Sequence, residues 1–146
     1  MKILFVCSGN TCRSPMALAL ARELARRNNL KDIEFGSAGL TAFDGAPISS
    51  LANEVLKKRG IDFSFHRAKS LGKKEIEEAD LILTMTKAQK EEILRRFPQA
   101  ASKTKMLMEY AGLGEENILD PIGGTLKDYE ACADKIEKAL RQIFGR

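Results

Sequence analysis

Val6-Cys7-Ser8-Gly9-Asn10-Thr11-Cys12-Arg13-Ser14-Pro15 is the stretch that decides how this chain reads. Before it, Lys2 to Val6 reads as a buried strand; after it the sequence turns helical. Cys7 and Arg13 enclose five residues, Ser8 to Cys12. A loop that short can curl so that successive backbone N–H groups point inward and form an anion-binding concavity. Pro15 is expected at the first helical position, where its missing N–H costs nothing. The helix N-terminus then adds its partial positive charge to the same pocket. A thiol at the floor and a guanidinium at the rim suit a tetrahedral dianion. In outline this is a phosphate-processing cysteine site.

Outward from the loop, the chain alternates strand and helix. Ala17, Leu20, Ala21 and Leu24 recur at helical spacing, predicting a helix from Pro15 to about Asn28. Asp32 to Ala38 reads as a second strand, and Pro47 as the start of a helix that stops at Gly60. Phe63 to Ser70 reads as irregular and Lys73 to Ala79 as a short helix. Leu81 to Met85 is apolar without alternation, a strand covered on both faces. Thr86 with Gln89 forms a capping-box signature for a helix ending near Phe97-Pro98. Lys105 to Met108 is the last expected strand, followed by a Gly-rich loop and a closing helix from Leu126 to Phe144. Strands separated by helices imply an α/β fold: a four-stranded parallel sheet with helices on both faces. Ligands bind such sheets beyond the carboxyl ends of the strands, where the opening loop must sit.

The composition is that of an ordinary globular protein: 146 residues, 44% hydrophobic and 30% charged. With no linker or repeat in view, residues 1–146 are expected to form a single domain. The net charge of +4 is modest, with Lys and Arg alternating with Glu, which argues against nucleic acid as the main partner. The apolar run Ile3 to Val6 is far too short for a signal peptide or membrane span. Three cysteines without a repeating framework imply reduced thiols and a cytoplasmic setting, with no membrane association. One histidine and scattered cysteines supply no paired metal-ligand spacing, so neither a metal nor another cofactor is expected.

A thiolate that attacks phosphorus needs an acid to protonate the leaving group. A helix N-terminus and a guanidinium both favour the thiolate. Asp120, fixed by Pro121 and followed by Gly123 and Gly124, is the best candidate for the acid. Asp44 and Asp128 are rivals on residue type, although Asp128 also suits the first turn of the last helix. Arg13 suits bidentate phosphate binding through its planar fork. Cys132 lies on an apolar helical stripe with Tyr129, Ala133, Ile136, Leu140 and Ile143 and reads as a buried, inert thiol.

The loop Cys7 to Pro15, the strand Ala79 to Thr86 and the late Asp120-Pro121 together resemble the low-molecular-weight protein tyrosine phosphatases over essentially the whole chain. That resemblance implies a metal-free domain acting on phosphorylated proteins, with Cys7 as the nucleophile that forms a phosphocysteine. Arg13 would grip phosphate oxygens alongside the loop residues Ser8, Gly9, Asn10, Thr11 and Cys12. Ser14 would donate to the Cys7 sulfur, and Asn10 would hold the loop in shape. Asp120 would act first as general acid and then as general base. Ser37 and His66 match structural members of the loop's hydrogen-bond network. The family often carries a glutamate where this chain has Leu18, which removes a carboxylate partner for His66.

Substrate choice turns on two departures. Thr11 stands where tyrosine phosphatases commonly carry isoleucine, and Ile122-Gly123-Gly124-Thr125 replaces the aromatics that usually flank a phenyl ring. Both features resemble the protein-arginine-phosphatase branch, so phosphoarginine is the expected substrate and phosphotyrosine the alternative. Cys12 has two readings: a partner for a reversible disulfide with Cys7, or a small side chain that fits the loop. An arsenate reductase would need a further cysteine pair in the later half, where only Cys132 occurs. A non-catalytic phosphate-binding module would need neither the thiol nor the acid.

Overall fold

The computed structural model describes residues 1–145. Four parallel strands, β1 (Lys2–Cys7), β2 (Glu34–Gly39), β3 (Leu81–Thr84) and β4 (Thr104–Met106), lie in the order β2-β1-β3-β4. The helices are α1 (Arg13–Arg27), α2 (Ser50–Lys58), α3 (Lys73–Glu78), α4 (Lys87–Arg96), the single turn α5 (Leu107–Tyr110) and α6 (Leu126–Phe144). Side chains alternate across β1 as the strand period of two requires. Ile3, Phe5 and Cys7 join the larger core under α1, α2 and α6, while Leu4 and Val6 face the smaller core containing Ile76 of α3 and Ile93 of α4. Every residue of β3 is buried, in keeping with its unbroken apolar run. Chain order reverses direction in the sheet between β1 and β3, so the loop after β1 sits at a topological switch point.

The expected fold class is the observed one, and the differences lie at element ends. Helix α1 begins at Arg13, two residues before Pro15, with Met16 N–H donating to Cys12 O to close the first turn. Pro15 still falls within that turn, where its missing N–H goes unneeded. Asp32 is left-handed (φ 68°), so β2 starts only at Glu34. Pro47 is held extended in a bridge with Arg67, and α2 starts after Ser49, whose hydroxyl accepts from Ala52 N–H. Gly60 (φ 80°) ends the turn after α2, as expected of that glycine. Leu107 and Met108 are helical because the Glu109 carboxylate reaches back to Met106 N–H at 3.2 Å and caps a new turn. A 3-10 segment, Pro98–Lys103, precedes β4 and had no periodic signal. Among the described residues no helix is long and apolar enough to cross a membrane.

The end of β2 passes unusually close to the loop after β1. A Cβ built on Gly39 would lie 2.6 Å from Ser8 O and 3.0 Å from Asn10 Cβ. Beyond it, Leu40 N–H donates to Cys7 O and Thr41 N–H to Ser8 O, extending the strand pairing into the loop. Gly39→Ala is therefore expected to destabilise the protein by about 1–3 kcal/mol through overpacking. Thermal unfolding measures this, and an unchanged midpoint would refute the close approach.

Candidate active site

The loop Ser8–Cys12 joins the centre of the sheet to α1, and its shape rests on Asn10. Asn10 is fully buried and left-handed (φ 58°), a conformation asparagine tolerates better than most residues. Its Nδ2 donates to Ser14 Oγ at 2.7 Å and to Ser37 Oγ at 3.0 Å, and its Oδ1 accepts from Lys69 N–H at 2.9 Å. Asn10 N–H points to Cys7 Sγ at 3.3 Å. Ser14 Oγ lies 3.0 Å from the same sulfur. Since Ser14 accepts from Asn10, its own proton is free to serve Cys7.

His66 completes the support. A carbonyl can only accept, so the 2.9 Å contact with Asn10 O assigns the proton to His66 Nε2. The ring stacks on Phe63 at 5.6 Å, and burial lowers its pKa, with Arg67 and Arg22 acting in the same direction against the Asn10 bond. Leu18, at the position noted for a missing carboxylate, is buried in the apolar core.

Arg13 and Asp120 meet across the mouth. Arg13 Nη2 lies 3.4 Å from Asp120 Oδ2, and Arg13 Nη1 donates to Ile118 O at 2.9 Å. Arg13 Nε is buried with no partner among the described residues, a donor that a tetrahedral anion would satisfy. The Asp120 side chain is 40% exposed, open enough to reach a ligand. Its Oδ1 accepts from Ile122 N–H at 3.0 Å, and Ile118 N–H donates to Met85 O, which ties this late loop to the end of β3. The rival carboxylates are committed elsewhere. Asp44 accepts from Ser70 N–H at 2.7 Å, a bond that lowers its pKa, and Asp128 caps α6 through Thr125 N–H at 2.9 Å.

Thr11 is half-buried, and its carbonyl accepts from Ser49 N–H. Cys12 is buried, with Tyr129 Oη 3.6 Å from its sulfur. The Tyr129 hydroxyl also contacts Ser49 Oγ at 3.4 Å, and burial raises its pKa. Burial pushes the Cys132 thiol up to about 12, in keeping with an inert group. A cleft of about 440 Å³ opens beside Ser8 and Arg13, lined also by Thr41, Gln89 and Arg96. Two contributors escaped sequence reading: Gly39, with no local signal, and Gln89, whose capping signature was visible but whose contact with Ser8 was not. Among the described residues no group of three His, Cys, Asp or Glu is placed to hold a metal ion.

This geometry has clear relatives. Residues 2–146 match the family described as low molecular weight phosphotyrosine protein phosphatase. A protein-arginine-phosphatase of Geobacillus stearothermophilus is 40% identical over 97% of this chain and 93% of its own length. A probable low molecular weight protein-tyrosine-phosphatase of Ralstonia nicotianae is 39% identical, covering 94% of this chain and 90% of that protein. Among solved structures, a variant of the YwlE arginine phosphatase with a phosphorylated active-site serine superposes with a TM-score of 0.94 at 37% identity. That match covers 98% of this chain and 93% of the other.

Two outcomes test the support of the loop. Asn10→Ala strands the hydroxyls of Ser14 and Ser37 and the N–H of Lys69, and is expected to cost roughly 3 kcal/mol in urea unfolding. For His66 the folded pKa lies below the unfolded value of about 6.5, so the unfolded chain takes up the proton first. Its contribution is full above about pH 6.5 and is lost as the pH falls toward the folded pKa. Stability measured from about pH 7.5 to about pH 5 should fall in the wild type and fall less in His66→Gln. Parallel profiles would refute the assignment.

Proposed function

Because the chain belongs to the low molecular weight phosphotyrosine protein phosphatase family, we propose that it hydrolyses phosphoarginine in proteins through a phosphocysteine intermediate. The observation that carries the reading is one loop flanked by Cys7 and by Arg13, whose Nε is unpartnered, with Asp120 facing Arg13 from the late loop. The Cys7 thiolate attacks phosphorus in line with the leaving guanidinium nitrogen. As the P–N bond breaks, Asp120 donates a proton to that nitrogen, and the S–P bond forms. Arg13 and the loop N–H groups hold the three equatorial oxygens, where charge in the transition state is greatest. Asp120, now a carboxylate, takes a proton from water as the water attacks the phosphocysteine. Inorganic phosphate leaves and the Cys7 thiolate is regenerated, with its charge again supported by Ser14 and Asn10.

Phosphoarginine over phosphotyrosine is supported by Thr11 and by the absence of an aromatic after Asp120-Pro121, where Ile122 stands 69% exposed. An arginine side chain is longer than that of tyrosine, and its guanidinium is more polar than a phenol and depends less on aromatic walls. The arginine-phosphatase relatives favour the same choice, while the tyrosine-phosphatase relatives of similar identity keep phosphotyrosine as the second reading. The enzyme works in the cytoplasm as the single domain 1–146, with its three cysteines free. In oxidising conditions Cys12 serves as the resolving thiol for Cys7.

Cys7→Ser is expected to bind inorganic phosphate yet lose turnover of p-nitrophenyl phosphate by at least about a thousandfold; normal turnover would sink the mechanism. Asp120→Ala should slow poor leaving groups far more than good ones. Phosphate release from phosphoarginine and phosphotyrosine peptides, side by side, tests the substrate. The wild type should prefer phosphoarginine and Thr11→Ile should shift toward phosphotyrosine, whereas a wild-type preference for phosphotyrosine overturns the choice.

A further inference from the structure

Gln89 is a buried polar side chain in the first turn of α4, distant in sequence from the phosphate loop. Its Oε1 accepts from Met85 N–H at 3.0 Å and from Thr86 N–H at 3.1 Å, which fixes the orientation of the amide. The Nε2 end donates to Ser8 Oγ at 3.2 Å. Capping α4 needs only the oxygen, so the bond to Ser8 goes beyond what the helix requires. A hydroxyl that accepts from an amide keeps its own proton for another acceptor. Ser8 lines the same cleft as Arg13.

We infer that Gln89 is a positioning residue, which turns the Ser8 hydroxyl into a donor for a phosphoryl oxygen held against Arg13. The arrangement repeats one at the other end of the loop, where the Asn10 amide donates to Ser14 and frees the Ser14 proton for Cys7. One amide supports the nucleophile; the other supports the group being transferred. Gln89 also links the β3–α4 junction to the loop, so the sheet's last crossover helps to set phosphate affinity. This inference rests on the reading of the loop as a phosphoryl site.

Gln89→Glu tests it, because the carboxylate keeps acceptor oxygens for Met85 and Thr86 while removing the donor to Ser8. The midpoint of thermal unfolding should hold. The dissociation constant of inorganic phosphate, measured by calorimetry, should rise on the order of tenfold, and kcat/KM for p-nitrophenyl phosphate should fall to match. Ser8→Ala should reproduce that loss, and Gln89→Glu should then add less than about twofold in the Ser8→Ala background. A full effect in that background would reveal simple charge repulsion and overturn the proposal. So would wild-type phosphate affinity in Ser8→Ala, which decides the matter even if Gln89→Glu fails to fold. Because phosphate binding is read directly, a wild type that binds phosphate without hydrolysing p-nitrophenyl phosphate would sink the proposed chemistry while leaving this coupling measured.

Discussion

A single left-handed asparagine holds the site together. With φ at 58°, Asn10 reverses the backbone in the middle of the loop, and its N–H turns toward the Cys7 sulfur. The side-chain amide then does what no apolar residue could do in a fully buried position. It joins Ser14, Ser37 and the Lys69 backbone, while His66 takes the Asn10 carbonyl. Buried polar groups are costly unless satisfied, so this network has few alternative arrangements. The same network presents Ser14 to the sulfur. Loop shape and nucleophile activation are therefore one constraint.

The sheet supplies what the loop cannot make for itself. β1 is flanked by β2 and β3, and both neighbours continue to brace the loop beyond its end. From β2 come Gly39 and the N–H groups of Leu40 and Thr41; from the β3–α4 junction comes Gln89. Arg13 has three tasks, one for each nitrogen. One nitrogen anchors Ile118 of the late loop, another faces Asp120, and Nε remains for an anion. Asp120 is thus held beside the loop by the residue that would bind phosphate.

Much of this was legible in the sequence because its chemistry is local. A cysteine and an arginine with five residues between them, after an apolar strand and before a helix, admit few other uses. The wrong element ends share a cause: propensity marks a residue type, while hydrogen bonds decide the boundary. Pro15 belongs in the first turn, but Arg13 opens it because Cys12 O takes the first helical bond. Met106 ends a strand because Glu109 caps the next turn. Leu18 cast doubt on the network around His66, yet the ring found its partner in Asn10 O, an atom that sequence patterns do not reveal.

The sequence by itself determined the alternation of strand and helix, the family resemblance, the thiol, the guanidinium and a short set of candidate carboxylates. It could do so because hydrophobic period and scarce residue types are properties of short segments. Only the tertiary structure showed that Asp120 faces Arg13, while Asp44 binds Ser70 N–H and Asp128 caps α6. It alone brought Gln89 to Ser8 and Gly39 against the loop. Those contacts join residues far apart in the chain, and nothing in a linear pattern records which distant groups the folded backbone will place within a hydrogen bond of one another.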